Sequence, residues 1–302
     1  MAHDPSPAAS ANRLRLTLAI GIVACVLVVE VVGAWLTGSL ALLADAGHMF
    51  SDLAGLLIAL AATVVAARPA TDRQTFGYQR AEVFGALVNG LILVAVAVGV
   101  VIGAVSRLLD VRHAEVLGTP MLVVAIIGLI ANLAALLLLR PAAGHSINMR
   151  GAYLEVVGDT LGSVAVIIAA GVILATGFQQ ADSIASLVIA AMILPRAYSL
   201  LRDVVRVFSE SAPAETDVAD IREHLLGTPG VVAVHDVHVW AITSGAHVFT
   251  AHVVVDPEVL NSGGAGALLD ELSGCLSEHF DVDHSTFQLE PAGRAGHTAP
   301  HA

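Results

Sequence analysis

Residues 41–60 read ALLADAGHMFSDLAGLLIAL. The run is apolar enough for a helix inside a bilayer, whose core of about 30 Å takes roughly 20 residues. Yet it holds Asp45, His48 and Asp52. Spacings of three and four put all three on one helix face. Ionisable groups at such depth are costly, and by default they mark a pathway or a site.

The rest of the chain supplies the membrane that this reading needs. Of 302 residues, 56% are hydrophobic and only 13% charged, against about a quarter charged in soluble domains. Six apolar stretches, about 14–36, 40–67, 81–105, 119–139, 151–175 and 180–201, are each long enough to span. Lipid offers the backbone no hydrogen bonds, so the spans are helices. Pro69, Pro120, Pro141 and Gly177 sit near their ends. The N-terminal segment shows no cleavable signal pattern. Cys25 and Cys275 are too few and too far apart for a disulfide framework.

Charge orients the bundle. Arg13 and Arg15, then Arg68, Arg73 and Arg80, then Arg140 and Arg150, then Arg202 and Arg206 fall on one side, and only Arg107 and Arg112 on the other. The positive-inside rule puts both termini in the cytoplasm. The net charge of −12 is uneven: residues 13–206 carry 12 Arg against 11 acids, and residues 209–291 one Arg against 14. So acidic a segment is a poor binder of nucleic acid, and it attracts cations.

That last third changes pattern. A helical stretch, AETDVADIREHLLGT, precedes two alternating runs, GVVAVHDVHVWAI and GAHVFTAHVVVD, with Gly245 near their turn. One further helix over EVLNSGGAGALLDELSGCLSEHF and a short strand, HSTFQLE, complete α-β-β-α-β, a small α+β domain. The expected organisation is a disordered tail over 1–12, a six-helix transmembrane domain over 13–208, a cytosolic domain over 209–291 and a disordered tail over 292–302.

The fifth span, GAYLEVVGDTLGSVAVII, answers the second with Glu155 and Asp159, again four apart on one face. If the two faces meet, His48, Asp52, Glu155 and Asp159 make a four-ligand tetrahedral site for zinc or a similar borderline cation. Three acids in a low dielectric need such a cation, or protons, to coexist. Asp45, nearer the helix start, is expected at a water-filled mouth as an entry or accessory group. Glu30, Asn89 and Asn132 read as interhelical hydrogen-bonding groups.

Several pieces in register, DAGHMFSD, RPATDRQTFGYQRAEVFGALVNG, GAYLEVVGDTLGS and TPGVVAVHDVHVWAITSG, resemble the cation diffusion facilitator family, its zinc-exporting branch, over about residues 13–290. The resemblance implies six membrane helices, a cytosolic metallochaperone-like (ferredoxin-like) domain, a homodimer, and export of divalent metal in exchange for protons. His48 and Asp52 match the family's HxxxD, and Asp159 matches the second pair. Glu155 stands where zinc-selective members commonly have His. That exchange of nitrogen for oxygen makes cobalt and cadmium plausible cargo beside zinc. The 4–5 connection, RPAAGHSINMRG, holds only His145 and lacks a histidine-rich loop, which points to a bacterial-type protein of the inner (plasma) membrane. Asp72 has no His nearby, so no second metal is expected there. In the cytosolic domain the resemblance points to His235, His252 and Glu290 as a regulatory metal site, with His238 and His284 as alternatives and Gln288 where some relatives have His. His224, His247 and His279 read as surface groups.

No G-x-x-x-x-G-K-[ST] loop occurs, so ATP is not the evident energy source. A proton-coupled exporter is the leading reading. An intramembrane metalloenzyme is disfavoured, because H-E-x-x-H is absent and four ligands leave zinc no open position. A passive channel or uniporter is disfavoured because conduction needs weak binding.

Overall fold

The computed structural model describes residues 7–109, 115–143, 147–243, 245–280, 282 and 284–292. The expectations for Arg112, for His145 and for the tails over 1–6 and 293–302 fall outside those residues.

Six helices are long and apolar enough to cross a membrane: α1 (Pro7–Thr37), α2 (Leu40–Ala66), α3 (Ala81–Leu109), α4 (Gly118–Ala143), α5 (Ile147–Thr176) and α6 (Gln180–Phe208). The chain is an integral membrane protein. Several helices run a turn or so beyond the expected spans, and two boundaries differ most. Residues 7–12 are helical and not tail, because Pro7 suits a first helical turn and Ala8, Ala9 and Ala11 are strong helix formers. α6 runs on past 201, because Leu201, Val204, Val205 and Phe208 keep the helical period.

Two compact units divide the chain, Met1–Ile58 with Val88–Leu200, and Ala59–Leu87 with Leu201–Ala302. In the first, α1, α4 and α5 pack together. Its core is rich in alanine: Ala34, Ala41, Ala44, Ala97, Ala125, Ala169, Ala170 and Ala190 are all buried. Small residues let helix backbones approach where lipid supplies no hydrophobic drive. Large apolar side chains such as Trp35, Leu57, Leu60 and Ile130 point outward, as a lipid-facing surface requires.

A polar contact ties the start of α6 to the start of α2. The buried Asp182 carboxylate accepts from the amides of Leu40 at 2.8 Å and Ala41 at 3.1 Å, and from the Ser39 hydroxyl at 2.5 Å. It therefore caps the first turn of α2 from another helix. The α2 start also caps itself, since the Leu42 amide donates to Ser39 Oγ at 3.1 Å and the Ser39 amide to Thr37 Oγ1 at 3.2 Å. Arg107 balances the charge, 3.5 Å from Asp182 and donating to the Gly38 carbonyl at 2.7 Å.

The second unit contains α7 (Val218–Leu226), β1 (Val231–Thr243), β2 (Ala246–Val255), α8 (Pro257–Asn261), α9 (Ala265–Phe280) and β3 (His284–Pro291). The sheet order is β1-β2-β3, antiparallel then parallel. The single helix expected after β2 is two, because Gly263 adopts φ +77° and breaks it. Ile221, Leu225, Phe249, Val253, Leu272 and Leu276 make the core. Ala292, expected in the tail, still donates its amide to Val255 O at 3.1 Å.

Asp182→Ala would leave buried helix-start amides without acceptors. A loss of about 1–3 kcal/mol is expected, read as a lower thermal midpoint in detergent. Asp182→Asn should lose less.

Candidate metal centre

α2 and α5 bring together three of the four expected ligands. His48 Nε2 lies 3.7 Å from Asp52 Oδ2 and 3.8 Å from Asp159 Oδ1. One donor atom from each of the three residues falls within 4.8 Å of the others. Each comes from the helical spacing already noted: His48 and Asp52 stand one turn apart on α2, and Asp159 faces them from α5.

Glu155 differs from the expectation. Its Oε1 accepts from Arg196 Nη2 at 2.7 Å, and Arg196 Nη1 donates to Asp52 Oδ2 at 3.1 Å and lies 3.0 Å from Asp52 Oδ1. The α6 guanidinium thus bridges an acid of α2 and an acid of α5. The reason is electrostatic: two half-buried carboxylates take the nearest fixed cation. Arg196 escaped the sequence reading although it lies inside the sixth span, where the rule applied to Asp52 and Asp159 would have marked it. It follows Pro195, whose missing N–H leaves the Ala191 carbonyl without its helical donor.

A cavity of about 160 Å³ opens on this cluster, lined by Asp45, His48, Glu155, Gly162, Met192 and Arg196 among others. Asp45 is not at a mouth. It is 1% exposed, against a Gly162 whose Cβ, if it had one, would overlap the carboxylate. Of the three lone polar residues, Asn132 Nδ2 donates to Ser163 Oγ at 3.3 Å and Asn89 sits 3.5 Å from Ser51 Oγ, both between helices as expected. Glu30 departs: neither of its oxygens has a hydrogen-bond partner among the described residues.

The second cluster lies in the sheet. His235 and His252 are cross-strand partners on β1 and β2. Glu290, at the end of β3, reaches both: Oε1 is 3.0 Å from His252 Nδ1 and Oε2 is 3.4 Å from His235 Nε2. Their donor atoms also fall within 4.8 Å of one another. A bulge between His235 and His238 puts Asp236 at φ +54°, a conformation unfavourable for a residue with a Cβ. That turn holds the Asp236 carboxylate 4.0 Å from His252 and 3.6 Å from the exposed His238. Asp236 is a second residue that pattern reading passed over. Gln288 donates to Glu290 Oε1 at 2.8 Å. His284 packs edge-on against Phe76, with ring centroids 5.4 Å apart, and is not among the three clustered residues.

Burial alone would raise the Glu290 carboxyl. The hydrogen bonds from Gln288 and His235 and the charges of His252 and His235 outweigh it and hold the group below its ordinary 4.5.

The family model for the cation efflux transmembrane domain matches residues 16–209, and that for the cytoplasmic domain of cation efflux proteins matches residues 213–292. The chain is 41% identical over 285 residues to the metal cation efflux system protein CzcD of Cupriavidus metallidurans, covering 93% of this chain and 87% of that one. It is 40% identical to the zinc transporter ZitB of Escherichia coli, over 96% of this chain and 93% of that one. It is 36% identical to a cadmium, cobalt and zinc/H(+)-K(+) antiporter of Bacillus subtilis, over 93% and 89%.

A depressed folded-state carboxyl gives stability that is present above the unfolded value and lost as pH falls through the folded one. In the metal-free protein, acid should therefore melt the sheet domain below about pH 4.5, and Glu290→Gln should flatten that part of the pH profile of its thermal midpoint.

Proposed function

The chain belongs to the cation diffusion facilitator family of cation efflux transporters, and from that premise we propose that it carries zinc, with cobalt or cadmium as further cargo, out of the cytoplasm in exchange for protons. The observation that supports this most is the cluster of His48, Asp52 and Asp159 on two facing membrane helices, with His48 lining a cavity beside it. Imidazole and carboxylates suit zinc and its neighbours. The names of the relatives point the same way: zinc for one, cadmium and cobalt besides zinc for another, with protons and potassium as its counter-ions.

The site reads as a switch between two kinds of positive charge. Without metal, the Arg196 guanidinium neutralises Asp52 and Glu155. With metal, the cation takes over Asp52, together with His48 and Asp159, and Glu155 either stays with Arg196 or turns inward as a fourth ligand. The ligands must be deprotonated to bind, so loading releases protons and protonation from the far side empties the site. Rocking of helices about a fixed midplane site would supply alternating access. With the positive-inside orientation, loading occurs from the cytoplasm.

The cytosolic cluster of His235, His252 and Glu290 reads as a regulatory site. In a homodimer, two copies of so acidic a domain repel, and divalent cations at or near them would relieve the repulsion. Cytosolic metal would then draw the two domains together and favour transport. A channel or uniporter is the second reading. It differs in one respect, that flux would ignore an imposed pH gradient.

Proteoliposomes with an imposed pH gradient test the antiporter. Uptake of zinc should follow the gradient and be abolished in Asp52→Asn and Asp159→Asn, with the variants still folded. Uptake indifferent to the gradient would mean a channel, and uptake retained in both variants would remove the site assignment.

Arg196→Gln leaves two carboxylates without their cation. Its metal-free thermal midpoint should fall, and added zinc should raise the midpoint by more than in the parent protein. Equal zinc shifts would show that arginine and metal do not compete.

A further inference from the structure

Glu30 has no part in the transport site, yet it is the single acid of α1 and is fully enclosed. The side chain is 0% exposed, and both carboxylate oxygens lack a hydrogen-bond partner among the described residues. An ionised carboxylate so placed is very costly, whereas a neutral carboxyl is tolerable.

Its surroundings are specific. The Glu30 Oε1 atom lies 2.8 Å from the point where a Cβ on Gly128 would stand, and Ser163 Oγ lies 3.5 Å from that same point. A Cβ at Gly128 would press on the Glu30 carboxylate and displace it. Ser163 accepts from Asn132, whose Oδ1 is itself buried and unpartnered among the described residues. Ser163 follows Gly162, against which the Asp45 carboxylate packs. The charged groups that bear on Glu30 are Asp45 from α2 and Asp159 from α5, both acids. From α4 the residues at hand are the uncharged Gly128 and Asn132. No cationic side chain is among the groups that bear on Glu30.

Asp45 joins this niche to the cavity, because it lines the same 160 Å³ space as His48, Glu155 and Arg196. Asp45 is therefore the acid shared by the cavity and the surroundings of the fully buried Glu30.

We propose that Glu30, with Asp45 as its connection to the cavity, is a proton-binding site separate from the metal ligands, and that loading of the metal expels its proton. The step balances simply. A divalent cation enters among His48, Asp52 and Asp159. The O–H bond of the Glu30 carboxyl breaks, and the proton passes by way of Asp45 to water in the cavity. The reverse occurs when the metal leaves. Asp159 couples the two sites, since it belongs to the metal cluster and also bears electrostatically on Glu30 and Asp45. Positive charge brought to Asp159 opposes a proton nearby. The coupling half of the proposal rests on the transport reading of the cavity. The protonation of Glu30 does not.

Infrared difference spectroscopy of the purified full chain in detergent, with and without zinc at neutral pH, tests both halves. The metal-free protein should show a protonated-carboxyl C=O stretch that zinc removes. Glu30→Gln should lack that band, and Glu30→Asp, the guard against a glutamine variant that does not fold, should move it. In proteoliposomes, Glu30→Gln should carry about one proton fewer per zinc. A metal-free protein without the band, or a band unchanged in both variants, overturns the proposal. So does a Glu30 band that persists with zinc bound in a protein that moves zinc against the pH gradient. A Glu30-dependent band in a protein that moves no zinc with the gradient would sink the antiport reading and leave the proton on Glu30.

Discussion

An ionised group has almost no place to go inside hydrocarbon, and this constraint shapes the protein. Each acid of the membrane helices must be offset by something. Asp182 is offset by helix amides and Arg107, and these partners are permanent. Asp52 and Glu155 are offset by Arg196, a tethered cation at 38% side-chain exposure that a mobile cation is able to rival. Asp45 and Glu30 have no fixed partner among the described residues. The three arrangements grade from structure to exchange. A transporter needs the last two, because a charge that is permanently satisfied has no reason to bind and release anything.

The two candidate metal clusters bring donor atoms together with different frameworks. In the membrane, helical spacing supplies the ligands, with residues four apart on α2 facing one on α5. In the sheet, strand pairing does so, placing His235 beside His252 and bringing Glu290 in from the parallel neighbour. The first framework opens on a cavity and can change shape by helix motion. The second is braced by Gln288 and by the strained turn at Asp236, which suits a site that senses more than it carries.

Much of this was legible in the sequence, for identifiable reasons. Spans are long, and their composition is unlike anything else, so six helices stand out; Asp52 and Asp159 stand out because they violate that composition. The sheet ligands needed the family resemblance, since isolated histidines on alternating strands carry no signal of their own. Arg196 is less conspicuous in the sequence because no acid stands three or four residues from it on α6; its partners lie on α2 and α5. Glu30 was read as a hydrogen-bonding group because its spacing has no partner on α1; only packing reveals that Gly128 and Ser163 enclose it. The break after β2 was missed because a pair of glycines at a helix start and a pair between two helices look alike until a positive φ is seen.

The cap that α6 places on α2 bears on how the protein is made. Asp182 lies 142 residues beyond the amide of Leu40 that it holds. At about 5–20 residues per second, translation needs roughly 7–30 s to cover that interval. Once α2 is complete and inserted, and until Asp182 follows, its first turn has only Thr37 and Ser39 to satisfy it. The ligand-bearing helix therefore acquires its final anchorage last, once the sixth span has been inserted. A nascent chain stalled after the fifth span would hold His48, Asp52 and Asp159 without the cap that fixes one helix or the arginine that neutralises Asp52 and Glu155, and quality control would meet an intermediate with its charges uncovered.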